Sequence, residues 1–234
     1  MTFKKLQYLS FLIIALLTTL WTYAQDESPS DGWDNQIYIG DKIAGGKNKW
    51  KFSGEFQIRL KDNLQQLDNW YLEQVTNYLA TEWLEVVPDF RFTVKPDRLE
   101  FRPGFGILLK KNKNDWQFIN QVKWQIDIDT KGGVRNALRE VVFVNRKFNN
   151  DHFVATALAG FIYRWTGEEN FMQYIRFGPG LSYIFDQKHI LNISYMMGVE
   201  NTTQEWKWSG ITMIQLVINI TKKYRYKPAY YFDF

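Results

Sequence analysis

Trp50-Lys51-Phe52-Ser53-Gly54-Glu55-Phe56-Gln57-Ile58-Arg59-Leu60-Lys61 sets an apolar residue or glycine at every even number and a polar one at every odd number. Successive side chains of an extended chain point to opposite faces, so this period of two predicts a strand with one oily and one wet side. The pattern recurs from Trp116 to Asp129, where Trp116, Phe118, Val122, Trp124, Ile126 and Ile128 oppose Gln117, Gln121, Lys123, Gln125, Asp127 and Asp129, with Asn120 interrupting the oily side. It recurs again where Leu84, Val86, Phe90, Phe92 and Val94 oppose Glu85, Asp89, Arg91, Thr93 and Lys95. A further example sets Leu191, Ile193, Tyr195, Met197 and Val199 against Asn192, Ser194 and Glu200.

Weaker alternation predicts strands over 33–40, 69–80, 97–110, 134–148, 152–165, 172–185 and 209–221. Turn chemistry separates them at Gly45-Gly46, Pro96-Asp97, Asn112 to Asp115, Gly132-Gly133, Asn149 to Asp151 and Asp186 to Lys188. Residues 64–79 also fit helical spacing through Leu67, Trp70, Tyr71, Val75, Tyr78 and Leu79, but a strand is preferred there. Eleven strands reach residue 221, and the tail from Tyr224 to Phe234 supplies a twelfth. Even strand numbers are usual in single-chain bacterial barrels, so the expectation is all-β: an antiparallel up-and-down transmembrane barrel of about 12 strands, or 10 as the alternative.

Composition supports a barrel in a membrane. Aromatic residues make up 18% of the chain and Trp numbers 10, yet mean hydropathy is −0.37. A barrel strand needs an apolar residue only at alternate positions, so such a chain stays polar on average. The one continuous apolar run lies near the start, where Lys4 and Lys5 precede Leu6 to Trp21 and Thr22-Tyr23-Ala24 follow. This has the charged, apolar and small-residue regions of a secretory signal peptide, predicting cleavage after Ala24 and a single domain over 25–234. The run is short of the roughly 20 residues a membrane-spanning helix needs. With no Cys, neither disulfides nor a lipid-modified cysteine anchor are expected. A net charge of +4 with both signs scattered argues against nucleic acid as a partner.

Two further features bear on which way the oily face points. Trp33, Trp50, Trp70, Trp83, Trp116, Trp165, Trp206, Trp208 and Tyr224 fall near predicted strand ends, as amphipathic rings do in the two girdles of a membrane barrel. The chain ends in Phe234, with Phe232, Tyr230 and Tyr226 in step by twos, similar to the terminal strand signal of outer-membrane proteins read by the barrel-assembly machinery. Pro228 departs from it by removing a ladder donor, which leaves Ile214, Leu216, Ile218 and Ile220 on the last full strand if the tail is not one. The Ala24-Gln25 junction, the early Trp33, the stretch Arg98-Leu99-Glu100-Phe101-Arg102, and Arg176-Phe177-Gly178-Pro179-Gly180-Leu181-Ser182-Tyr183 together resemble the small outer-membrane β-barrels of Gram-negative bacteria catalogued as a domain of unknown function. The resemblance implies fold and location, the cell outer membrane, and carries no activity.

If lipid surrounds the oily face, the wet face lines the lumen with Lys51, Glu55, Arg59, Asp89, Arg91, Lys95, Arg98, Glu100, Arg102, Lys123, Asp127 and Arg176. Mixed signs there predict a paired, charge-compensated network or, in a wider barrel, a polar channel with a porin-like passive role. Two rival functions exist. A barrel-wall lipid hydrolase needs a histidine base, and only His152 and His189 are present, both in polar turns and without a nucleophilic Ser motif. A soluble periplasmic lipid-binding barrel would turn the oily face inward. Two histidines and the acidic spacings give no metal site, and no phosphate loop or other cofactor motif is present. Expected partners are outer-membrane lipid and lipopolysaccharide, whose phosphates Lys110-Lys111-Asn112-Lys113 would meet as a basic loop.

Overall fold

A computed structural model describes residues 33–148, 152–166, 170–185, 189–202 and 205–231. Residues 1–24, expected from the sequence to be a signal peptide, the turn positions 149–151 and 186–188, and Phe232 and Phe234 lie outside the described residues. The chain is a meander of β1 (Trp33–Asn48), β2 (Trp50–Lys61), β3 (Gln66–Leu79), β4 (Leu84–Lys95), β5 (Arg98–Lys113), β6 (Trp116–Asp129), β7 (Val134–Phe148), β8 (Phe153–Trp165), β9 (Asn170–Phe185), β10 (His189–Thr202), β11 (Glu205–Asn219) and the short β12 (Lys223–Tyr224). Among the described residues there is no helix, and 66–79 is extended as preferred, with Leu64 and Gln65 in the turn before it.

Each of β1 to β10 pairs antiparallel with the next. The cylinder closes by a parallel seam between β1 and β11, running from Trp33 opposite Trp208 to Ala44 opposite Asn219. An odd meander has no other way to close, because its first and last strands point the same way. Of the twelve strands, eleven therefore form the wall. β12 continues the direction of β11 after a break and pairs parallel with Lys47 and Asn48 at the end of β1. Following opposite residues from Ile39 through Ile58, Trp70 and Val94 to Leu99 leads from the middle of β1 to the second residue of β5. That stagger is the shear a closed barrel requires. Closure also leaves no exposed strand edge along β1 to β11.

Two turn assignments are corrected. Gly45 and Gly46 lie inside β1, which runs to Asn48, and the hairpin turns at Lys49. Asn48 takes the left-handed conformation at φ 57°, one that asparagine tolerates. Gly46 is needed for a different reason: a Cβ there would lie 2.9 Å from Lys51 Cα and collide with the Tyr224 ring, so β12 can cross at this point only over a glycine. Lys110 to Lys113 are likewise not a loop. They are the last residues of β5, with Lys110 pointing inward and buried, and the turn follows at Asn114.

The oily sides face outward. Phe52, Phe56, Leu72, Phe90, Phe101, Phe105, Phe118, Trp124, Val142, Leu181, Ile193 and Ile218 stand exposed on the outer wall, Phe105 at 53% and Trp124 at 47%. Trp33, Trp70, Trp165, Trp206 and Trp208 ring the end where β1 starts, and Trp50, Trp83 and Trp116 ring the other end. Polar residues interrupt the outer wall at mid-strand, among them Asp41, the Gln74–Thr76 pair (2.7 Å), and Asn120, whose Nδ2 donates to Glu140 at 2.9 Å.

Candidate functional site: the barrel interior

The interior has three zones, built from residues on alternate positions of every strand. Around its middle, β1 to β6 contribute a buried charge network. Lys123 Nζ lies 2.7 Å from Asp89 Oδ1 and 3.6 Å from Glu73 Oε1, and Arg91 donates to Glu73 Oε2 at 2.9 Å. Glu55 is held by Lys42 at 3.0 Å and by the Tyr71 hydroxyl at 2.8 Å. Gly104 leaves the room this needs, because a Cβ there would stand 2.6 Å from both Asp89 Oδ1 and Lys123 Cε. Opposite the charges, Val141, Phe143, Leu158, Met196, Ile211 and Met213 pack as an apolar cluster that also takes in Val75, Leu108 and Ile119. A barrel of about eight strands is just filled by side chains, and eleven are filled here with the help of these large groups.

The second zone closes one end. Past β12 the chain turns into the barrel, and its backbone is bound by side chains of the wall. Lys110 donates to the Lys227 carbonyl at 2.7 Å and Gln117 to that of Pro228 at 3.3 Å. The Ala229 amide donates to Glu85 at 2.6 Å, the Tyr230 amide to Gln117 at 2.7 Å, and Asn145 to the Tyr230 carbonyl at 2.6 Å. The Tyr230 hydroxyl is 2.6 Å from Asn192 Oδ1, and the Tyr231 ring sits 6.1 Å from that of Phe143, with Lys51 over it at 5.3 Å. Pro228 has no N–H to give a ladder, which suits a segment satisfied by side chains instead of a neighbouring strand.

The third zone is a vestibule of about 800 Å³ at the opposite end, floored by Tyr38, Tyr71 and Tyr174 and walled by arginines. Glu100 accepts from Lys95 and from Arg102, each at 2.9 Å, and Arg102 reaches Asp127 at 2.5 Å. Arg164 binds both Asp127 and Gln173. Arg98 pairs with Asp97 at the rim (3.0 Å), and Lys131 on the next hairpin reaches the same Asp97 oxygen at 2.6 Å. That hydrogen bond holds the Asp97 carboxyl below the usual aspartate range. Arg176 stacks on Tyr174 at 4.0 Å and lies 3.8 Å from Glu200.

The charged residues singled out from the sequence all point inward but divide among zones. Glu55, Asp89, Arg91 and Lys123 belong to the middle network, and Lys51 to the tail end. Arg59, Lys95, Arg98, Glu100, Arg102 and Arg176 line the vestibule, with Asp127 just beneath. Missed were Lys42, Tyr71, Glu73, Lys110, Arg139 and Arg164, and the whole apolar part of the interior, while Glu85, read on the wet side of its strand, was not singled out for the lumen. The signal for the latter was loss of alternation: Val141-Val142-Phe143-Val144 and Ile211 to Ile218 are near-continuously apolar because both faces of those strands are. His152 Nδ1 is 3.0 Å from the Ile184 carbonyl, and His189 lies against the Phe185 ring at 5.9 Å. Among the described residues neither ring is hydrogen-bonded to a serine hydroxyl, and no three His, Asp or Glu side chains gather as metal ligands. No protein-family model matches the chain, and no curated protein matches it.

Proposed function

We propose that the chain is an outer-membrane β-barrel with a structural role, its lumen occluded instead of open as a passive channel. The observation that supports this most is the distribution of side chains: large apolar groups outside between two tryptophan rings, and ion pairs, amides and a filled core inside. A soluble monomer rarely exposes a continuous apolar surface of more than a few hundred Å², and a soluble lipid binder would put that surface inside. Strands of 12 to 16 residues for β1 to β11 exceed the 9–11 that cross a bilayer when tilted. The signal-peptide pattern at 1–24 supplies the route, and lipid, lipopolysaccharide and the barrel-assembly machinery are the partners this reading implies. Occlusion follows from the filled middle and from the tail held by Glu85, Gln117 and Asn145.

Fractionation with a gel run on unheated and boiled samples tests the placement. Recovery in the detergent-extracted outer membrane with faster migration unheated is expected, and recovery in osmotic-shock fluid refutes it. Planar-bilayer recording tests occlusion: steady conductance steps from the wild-type protein would restore the channel reading.

A further inference from the structure

The vestibule is closed below and open at one end, and its walls carry ten lysine or arginine side chains against six carboxylates. Most of these cations have an acidic partner. Arg59 does not: its Nε donates to Gln57 at 2.7 Å, and among the described residues no carboxylate lies within 4 Å of it. Instead its guanidinium lies over two rings, 4.3 Å from that of Tyr38 and 5.0 Å from that of Tyr71. Arg176 is arranged alike over a single ring, stacked on Tyr174 with its nearest carboxylate, Glu200, at the outer limit of an ion pair. Arg91, stacked on Tyr71 at 3.9 Å, has a buried Nε with no partner.

A ring against the face of a guanidinium holds its plane and leaves the N–H groups not already engaged along its edge as the binding surface. That edge matches the two oxygens of a carboxylate or phosphate. Buried donors without partners are uncommon in folded proteins, and the Nε groups of Arg91 and Arg98, both in the wall of this cavity, are two of them. We propose that the vestibule is a binding site for a multiply charged oxyanion, gripped by the edges of Arg59 and Arg176 over the tyrosine floor. The proposal rests on the interior alone and holds whatever surrounds the outer wall.

The test is isothermal titration of the purified, folded full chain in detergent at low salt with two probes, inorganic pyrophosphate and lipid A dispersed in the same detergent. Saturable pyrophosphate binding, weakened about tenfold or more in Arg59→Gln and in Arg176→Gln, is expected. Arg59→Lys keeps the charge and loses the planar edge, so it should also weaken binding, which a merely cationic lining would not require. Saturable binding of lipid A alone, with the same arginine dependence, identifies a lipid headgroup as the source of the oxyanion. Heat from neither probe, or binding unchanged in both glutamine variants, overturns the proposal. Unheated gel migration reports whether each variant is folded. If the variants do not fold, the wild type decides: millimolar pyrophosphate must raise its unfolding midpoint above that in sodium chloride of equal ionic strength, and no rise overturns the site.

Discussion

Replacing Lys123 by methionine removes the cation shared by Asp89 and Glu73 with little change in volume. Lys123 is 3% exposed and 2.7 Å from Asp89, its closest carboxylate. Glu73 retains Arg91 at 2.9 Å, but the pairings described for Asp89 leave it without an ion-pair partner. Breaking a buried pair from one side costs about 3–5 kcal/mol, because the remaining charge has lost both water and partner. The surviving Glu73–Arg91 pair places this case near the lower figure, about 3 kcal/mol, or roughly a hundredfold in the folding equilibrium. The assay is urea unfolding in phospholipid vesicles, read by tryptophan emission and by unheated gel migration. Adding Asp89→Leu removes the stranded charge, and the double variant should return to within about 1 kcal/mol of wild type, since apolar replacement of a whole buried pair is often neutral or stabilising. Gly104→Ala, which drives a methyl group against the same pair, should cost about 1–3 kcal/mol. A single variant within about 1 kcal/mol of wild type, or a double variant worse than the single, would refute the reasoning that these charges are compensated only by each other.

Other tests probe the outer wall, the tail and the rim. Trp124→Arg, in the oily belt of β6, should destabilise the barrel in vesicles by about 2–4 kcal/mol if lipid covers that position; a change within about 0.5 kcal/mol, normal for an exposed surface, counts against lipid contact. Glu85→Ala strands Lys110 and the Ala229 amide together, so the tail should be released and chymotrypsin should cut at Tyr230 or Tyr231, both half-buried in the wild type; continued resistance would show that the tail is held elsewhere. The Asp97 carboxyl, depressed by Lys131, should titrate below the aspartate range in carboxyl NMR and return toward it in Lys131→Ala. Because its folded value lies below the unfolded one, the stabilisation it gives is complete above the ordinary aspartate range and disappears as pH falls through the depressed value.

Much of the wall was legible from the chain. Alternation located β2, β4, β6 and β10 within a residue or two, since a strand with one oily and one wet side leaves its period in the sequence. The inward direction of Arg59, Asp89, Lys123 and Asp127 followed from the same period. Where both faces are apolar, as in β7 and β11, the period is lost and inward Val141, Phe143, Ile211 and Met213 could not be told from their outward neighbours.

Only the folded cylinder decided the rest. The parallel seam of β1 with β11 depends on strand parity, a property of the whole meander and of no local segment. The route of residues 227–231 into the barrel depends on Glu85, Gln117 and Asn145, which lie more than eighty positions away along the chain. Lys110 follows the same rule: beside Lys111 and Lys113 it has the composition of a basic loop, yet Glu85 across the β4–β5 ladder makes it a buried ion-pair partner. Local spacing fixes which way a side chain points, whereas its partner is set by which strands the closure brings together.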